Sequence, residues 1–317
     1  MTTACAAGPW AGWPRPCAAW GGRVHRAGRH AAAGGLRRGA LTAVRHELAV
    51  ASAQVKSCLL LAGLFADGET WVVEPTPTRD HTERLLGAAG VPVLRDGDAV
   101  GVRGPVEGLS LPDLRVPGDF SSAAFHIVAG AFLADPEVRL EGVNLNPLRA
   151  GLLNVLRRMG AAVEVLEGPE VAGEPCGTVV VRRAAGLRAT EVQPHEVPSM
   201  IDELPLVGLL GAMAEGTTVV RGAEELRVKE SDRITAVVDA LRGMGVAAEE
   251  REDGFAVTGG GAIPGGTVEA RHDHRMAMLG AIAGLASTGG VSVEGFEAVE
   301  VSYPRFVADL RALGATA

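Results

Sequence analysis

Asp202-Glu203-Leu204-Pro205-Leu206-Val207-Gly208-Leu209-Leu210-Gly211-Ala212-Met213, followed by Gly216-Thr217-Thr218-Val219-Val220, is the stretch that decides how this chain folds. After the two acids no polar residue interrupts the run, so the predicted helix has no face that could meet water. The glycine and the β-branched residues behind it predict a turn and a strand. A helix that is apolar all round must be covered on every side. The expected fold is therefore α/β, with buried helices inside and sheets around them.

The same module recurs at a period of about 70 to 80 residues. Ser52 opens AQVKSCLLLAGL before Gly68 to Val73, and Ser121 opens SAAFHIVAGAFL before Val138 to Leu140. Asp273 opens HRMAMLGAIAGLA before Gly290 to Val293. Serine and aspartate at these points suit helix N-caps. Each module then carries a second, amphipathic helix ending at a glycine: His81 to Gly90, Leu152 to Gly160, Ile234 to Gly245 and Phe306 to Gly314. Short alternating strands follow the first three. Four repeats of strand, helix, strand, helix and strands fit between Glu47 and Ala317.

Composition narrows the function classes. The chain has 317 residues, a net charge of −8 and 47% hydrophobic residues, which excludes a disordered protein. A mildly acidic chain is a poor general nucleic-acid binder. The longest charge-free stretch, Met276 to Val293, contains four glycines and reads as a buried helix and turn rather than a membrane span. Four cysteines without pairing or metal spacing fit a reducing cytoplasm. The charge is uneven: Met1 to His46 holds seven of the 30 basic residues and none of the 38 acids, which leaves the remainder at −15.

Polar residues gather where the buried helices begin. A helix start concentrates unpaired N–H groups and positive dipole, so four such starts point to a polyanionic small molecule. Only two lysines occur in the chain, Lys56 and Lys229, and each lies beside a helix start, where a compact ammonium could serve. Ser52-Ala53-Gln54-Val55-Lys56 offers a hydroxyl, an amide and an ammonium. In Val228-Lys229-Glu230-Ser231-Asp232-Arg233, Ser231 or Asp232 caps a helix and leaves Lys229 and Glu230 ahead of it, either as a solvated turn or as a pair for proton transfer. Asp202 is either a cap or a general base, and Asp273-His274-Arg275 is either a plain cap or an anion site. His272-x-His274 has no third ligand at a useful spacing, so no metal site is expected. Gly259-Gly260-Gly261 precedes Pro264 and another strand, and is not a phosphate loop.

Six ordered motifs then resemble one family: SAQVKS (52–57), EPTPTRDHTERLL (74–86), VPGDFSSAAF (116–125), IDELPL (201–206), ELRVKESDRI (225–234) and HDHRMAM (272–278). Together they are similar to the 3-phosphoshikimate 1-carboxyvinyltransferases, or 5-enolpyruvylshikimate-3-phosphate (EPSP) synthases, over roughly Leu41 to Ala317. The resemblance implies the enolpyruvyl transferase fold, an inside-out α/β barrel of repeats. It also implies transfer of the carboxyvinyl group of phosphoenolpyruvate to the 5-hydroxyl of shikimate 3-phosphate in aromatic amino acid (chorismate) biosynthesis. No cofactor is needed. By motif position, Ser52, Ala53 and Gln54 contact shikimate 3-phosphate, with Gln54 also near phosphoenolpyruvate. Asp202 accepts the hydroxyl proton, Lys229 and Glu230 handle proton transfer, and Arg233 and Arg275 clamp phosphoenolpyruvate. The implied setting is a cytoplasmic monomer that binds two small molecules and neither nucleic acid nor membrane. The sister UDP-N-acetylglucosamine enolpyruvyl transferases share the fold, but KESDR and DHRMAM argue against them.

The departures set further expectations. The family's N-terminal Lys-Ser…Arg motif, its Asn-Ser/Ala-Gly-Thr segment and a further arginine have no counterpart before Ser52, and Val301-Ser302 stand where many members carry a lysine just before Tyr303-Pro304. Each lost charge-assisted contact costs on the order of 1.5–3 kcal/mol, so the alternative is a catalytically impaired remnant. Residues 1–40 are expected to be an unrelated, basic, disordered segment with no signal peptide. Of a transit peptide, a basic nucleic-acid arm and a mispredicted start or shifted reading frame, its serine-free, lysine-free composition favours the last. Residues 41–145 are expected to be the remnant of an incomplete first domain, and 146–317 a three-repeat second domain.

Overall fold

The computed structural model describes residues 41–111 and 113–315. They form two compact units, residues up to 115 with 171–174, and 116–170 with 175–315. The division falls 30 residues before the 145/146 boundary expected from the sequence. The reason lies in the helix Phe120–Leu133, whose apolar residues join the core of the second unit. The segment 1–40, expected to be basic and disordered, lies outside the described residues.

The first unit is a single repeat. The short strands Leu41–Thr42 and Arg45–Glu47 lie parallel to Ala66–Val73. Helix α1 (Ala53–Gly63) is the crossover between them, and Ser52 caps it by accepting the Val55 N–H at 3.4 Å. Ala99–Gly104 pairs antiparallel with Ala66–Val73 and with Val93–Asp96. Helix α2 (His81–Ala88) links the sheet's two halves. Leu59, Leu60, Val72, Leu86 and Val102 make its small core.

The second unit repeats that plan three times. Its inner helices are α3 (Phe120–Leu133), α5 (Leu204–Met213) and α7 (His274–Ala286), which pack on one another. The outer helices are α4 (Leu152–Met159), α6 (Arg233–Gly243) and α8 (Phe306–Ala312). Three sheets cover them, one per repeat, and the first joins Val138–Asn144, Cys176–Arg182 and Ala162–Glu167. The second sheet sets Ala214–Val220 between Gly254–Gly260 and the short parallel strands Leu187–Arg188 and Glu191–Val192. The third is the parallel pair Gly266–Glu269 and Val291–Glu294. Helices inside and sheets outside is the expected architecture, and nine residues of α5 are buried.

Two details explain how the sequence holds this layout. Each outer helix in the four repeats is followed by a glycine at positive φ, Gly90, Gly160, Gly245 and Gly314, the conformation that stops a helix at low cost. The inner helices approach their sheets through glycine. A Cβ on Gly63 would lie 2.8 Å from the Thr70 Cβ, and one on Gly211 would lie 3.0 Å from the Thr218 Cβ. The same seven-residue spacing serves in both units. Among the described residues no helix is long and apolar enough to cross a membrane.

Candidate active site

Around Arg233 the second unit gathers most of its predicted residues. Arg233 opens α6, behind its N-cap Asp232, and is 1% exposed. An isolated buried guanidinium is costly, so its charge has to be met by carboxylates. Nε donates to Asp273 Oδ2 at 2.8 Å, Nη2 to Glu230 Oε2 at 2.5 Å and Nη1 to Asp202 Oδ1 at 3.3 Å. Asp273 is fully buried and caps α7 by accepting the Arg275 N–H at 2.9 Å, while Ser231 donates to it at 3.1 Å. Burial alone would raise the Asp273 carboxyl, but the Arg233 guanidinium holds it below its usual value. Asp273 is thus both a cap and an ion-pair partner.

Arg275 differs from Arg233 in what it has left to give. Its Nη2 lies 3.6 Å from Asp202 and its Nη1 3.9 Å from Glu203, distances of ion pairs but too long for hydrogen bonds. Its Nε is buried without a hydrogen-bond partner among the described residues. Such a donor costs about 1–3 kcal/mol unless an acceptor reaches it. Arg233 is spent on carboxylates, and Arg275 is not.

Asp202 and Glu203 complete the centre. Asp202 lies between the two guanidiniums, and the helix N-cap position belongs to Glu203. Glu203 is 2% exposed and accepts a hydrogen bond from Ser121. Burial, and then the charge of Asp202, push its carboxyl up to about 7. At the rim Arg149 donates to Asp119 at 2.6 Å, and Asp119 caps α3 through the Ser122 N–H. Lys229 is not brought to this centre. Its ammonium donates to Glu225, four residues earlier, at 2.5 Å.

In the first unit Ala53 and Gln54 line an open groove of about 620 Å³, together with Ser57, Arg79 and His81. Ser52 is the cap of α1. Lys56, which the sequence offered as an anion-facing ammonium, is turned inward and 2% exposed. Its Nζ lies 2.8 Å from both Glu74 and Glu83 and donates to the Thr78 carbonyl at 3.1 Å. The physical reason is that two carboxylates, from the strand end and from α2, claim it inside the sheet–helix interface. Ser121, read from the sequence as a helix N-cap, is the second residue of α3, whose cap is Asp119. The sequence assigns no role to Arg149, Glu203 and Arg79. Their only signal was membership of, or closeness to, the quoted motifs.

A family model described as EPSP synthase (3-phosphoshikimate 1-carboxyvinyltransferase) matches residues 25–310. The chain belongs to the EPSP synthase family. The match opens inside the 1–40 segment that the composition set apart. Among relatives of that family, the 3-phosphoshikimate 1-carboxyvinyltransferase of Thermotoga sp. (strain RQ2) is 51% identical over 267 residues, 84% of this chain and 62% of that protein. The one of Thermus thermophilus is 51% identical over 274 residues, 85% and 62% respectively. The chain therefore spans about 62% of the length of these curated relatives. A solved EPSP synthase from Acinetobacter baumannii superposes with a TM-score of 0.85 at 38% identity, covering 97% of this chain and 71% of that one. The enolpyruvyl transferase NikO from Streptomyces tendae gives a TM-score of 0.74 at 22% identity, over 94% of this chain and 69% of that one, which speaks for the fold alone. Both agree with an enolpyruvyl transferase fold.

Proposed function

We propose that this chain acts in the transfer of a carboxyvinyl group from phosphoenolpyruvate to the 5-hydroxyl of shikimate 3-phosphate. The observation that carries the reading is Arg275. It is a guanidinium at the start of a buried helix, its Nε–H is unspent, and a carboxylate able to take a proton stands beside it. A guanidinium fork matches the carboxylate and phosphate of phosphoenolpyruvate.

In this reading the substrate oxygen bonds to C2 of phosphoenolpyruvate as C3 gains a proton. The tetrahedral adduct then loses the C3 proton and the C2–O bond to phosphate, which restores the double bond. Asp202 takes the hydroxyl proton, and Glu230, exposed at the rim and bonded to Arg233, serves C3. Arg233, buried and spent on carboxylates, holds Asp202 and Glu230 in register, and the clamp on phosphoenolpyruvate expected of both arginines falls to Arg275. Lys229 reaches the reacting atoms by exchanging Glu225 for substrate, a small cost for a partly exposed pair. Ser52, Ala53 and Gln54 contact shikimate 3-phosphate in the first unit. The setting proposed is a cytoplasmic enzyme, monomeric and cofactor-free.

Purified chain supplied with both substrates should release phosphate, and Asp202→Asn should release far less. Binding without release is the outcome expected of an impaired remnant, and it overturns the catalytic reading.

A further inference from the structure

Glu203 stands at the N-cap of α5, but its carboxylate makes no cap hydrogen bond. It turns aside to the neighbouring helices. Oε1 accepts from Ser121, the second residue of α3, and lies 3.9 Å from Arg275 Nη1, the second residue of α7. One buried carboxylate thus touches the first turns of the other two inner helices from the start of the third. The charged groups around it come from every side. Asp202 adjoins it, Arg275 faces it from α7, and Arg149 acts on it from the turn ahead of α4. Arg233 of α6 reaches it through Asp202. His274, next to Arg275 on α7, is pushed down by burial and by Arg275, away from neutral pH.

Arg275 therefore has three claimants, the carboxylates of Asp202 and Glu203 already beside it and any anion its free Nε–H would take. Resting on the reading of Arg275 as an anion-binding arginine, we infer that Glu203 is a positioning residue that sets how tightly Arg275 holds its anion. While ionised it competes for the guanidinium, and it takes up a solvent proton when the anion arrives. Two like charges in a buried site resist simultaneous ionisation, and the anion adds a negative charge to the one Asp202 supplies. The proton goes to Oε2, which leaves the Ser121 hydrogen bond on Oε1 intact. Since burial and Asp202 hold the free carboxyl near pH 7, the effect falls within an accessible range.

The test is a calorimetric titration of the intact chain with phosphoenolpyruvate between pH 6 and 8.5, in buffers of different ionisation heat. Wild type, Glu203→Gln and Ser121→Ala are compared, and the ratio between proteins cancels the ligand's own ionisation. Glu203→Gln keeps an acceptor for Ser121 and removes the charge. It should bind phosphoenolpyruvate up to about tenfold more tightly than wild type at pH 8, with the gap closing by pH 6 and the extra proton uptake gone. Ser121→Ala keeps the carboxylate and should keep the pH effect, moved to higher pH because the Ser121 hydrogen bond holds the carboxyl down. The inference is overturned if Glu203→Gln binds equally or more weakly at pH 8 with the same proton count, or if wild type binds no phosphoenolpyruvate. Phosphate release by the same proteins reads the transfer reaction separately. Silence in that assay with the pH effect intact removes only the transfer reading, and turnover with parallel pH profiles removes only this inference.

Discussion

Replacing Asp273 probes the ion-pair cluster and the helix start together. Asp273→Ala removes the acceptor of four hydrogen bonds, from Arg233 Nε and Nη2, the Arg275 N–H and Ser231. Loss of an N-cap costs about 1 kcal/mol. Breaking a buried pair costs about 3–5 kcal/mol because the surviving charge has nowhere to go. Here Glu230 and Asp202 remain on Arg233, which argues for the lower end of that range, about 4 kcal/mol for both effects together. Asp273→Asn caps about as well as aspartate and loses only the charge, so it should cost about 3 kcal/mol. The assay is urea unfolding followed by circular dichroism. The pH dependence supplies a second check. A carboxyl held below its usual value contributes stability that is present above its unfolded pKa and lost as pH falls through its folded value. The difference between wild type and Asp273→Asn should hold at pH 7 and shrink below about pH 4. Loss of less than about 0.5 kcal/mol for both variants would refute the keystone role of this pair.

Three further outcomes are expected. Lys56→Met strands Glu74 and Glu83 in the first unit and should cost about 3–5 kcal/mol by denaturant unfolding, part of which Lys56→Met/Glu83→Gln recovers. Gly259→Ala places a Cβ 2.1 Å from the Gly211 carbonyl oxygen, so it should destabilise by about 1–3 kcal/mol or prevent folding, read as a lowered thermal midpoint. Arg275→Lys keeps the charge and loses the fork, and should weaken phosphoenolpyruvate binding roughly tenfold in titration calorimetry, whereas an unchanged affinity contradicts the anion role.

Much of the fold is legible because its signals are local. The run Leu204–Met213 has no wet face, so its burial follows from composition alone. Ser52 and Asp273 read as caps because an N-cap bonds within its own first turn. Asp232 is one of two candidates beside Ser231, and Ser121, read the same way, lies inside a helix that Asp119 caps. The site is less legible because its partners are distant in sequence. Lys56 looks like an exposed ammonium in its own motif, and only Glu74 and Glu83, brought in by the strand and by α2, make it internal. Glu203 meets Ser121 across 82 residues, a contact that no local pattern announces. The boundary near 115 hides for the same reason. Helix α3 belongs with α5 and α7 through packing rather than through any break in composition.

The transfer itself is open to one direct observation. Phosphate release alone would also follow from hydrolysis of phosphoenolpyruvate, so the fate of the carbon decides. Phosphoenolpyruvate labelled with ¹³C at C2 is incubated with shikimate 3-phosphate and the folded chain, and the label is followed by NMR. The predicted result is a new enol-ether carbon that forms only when shikimate 3-phosphate is present and is lost in Asp202→Asn. Label that stays in phosphoenolpyruvate at high protein concentration, or appears only in pyruvate, contradicts carboxyvinyl transfer by this chain.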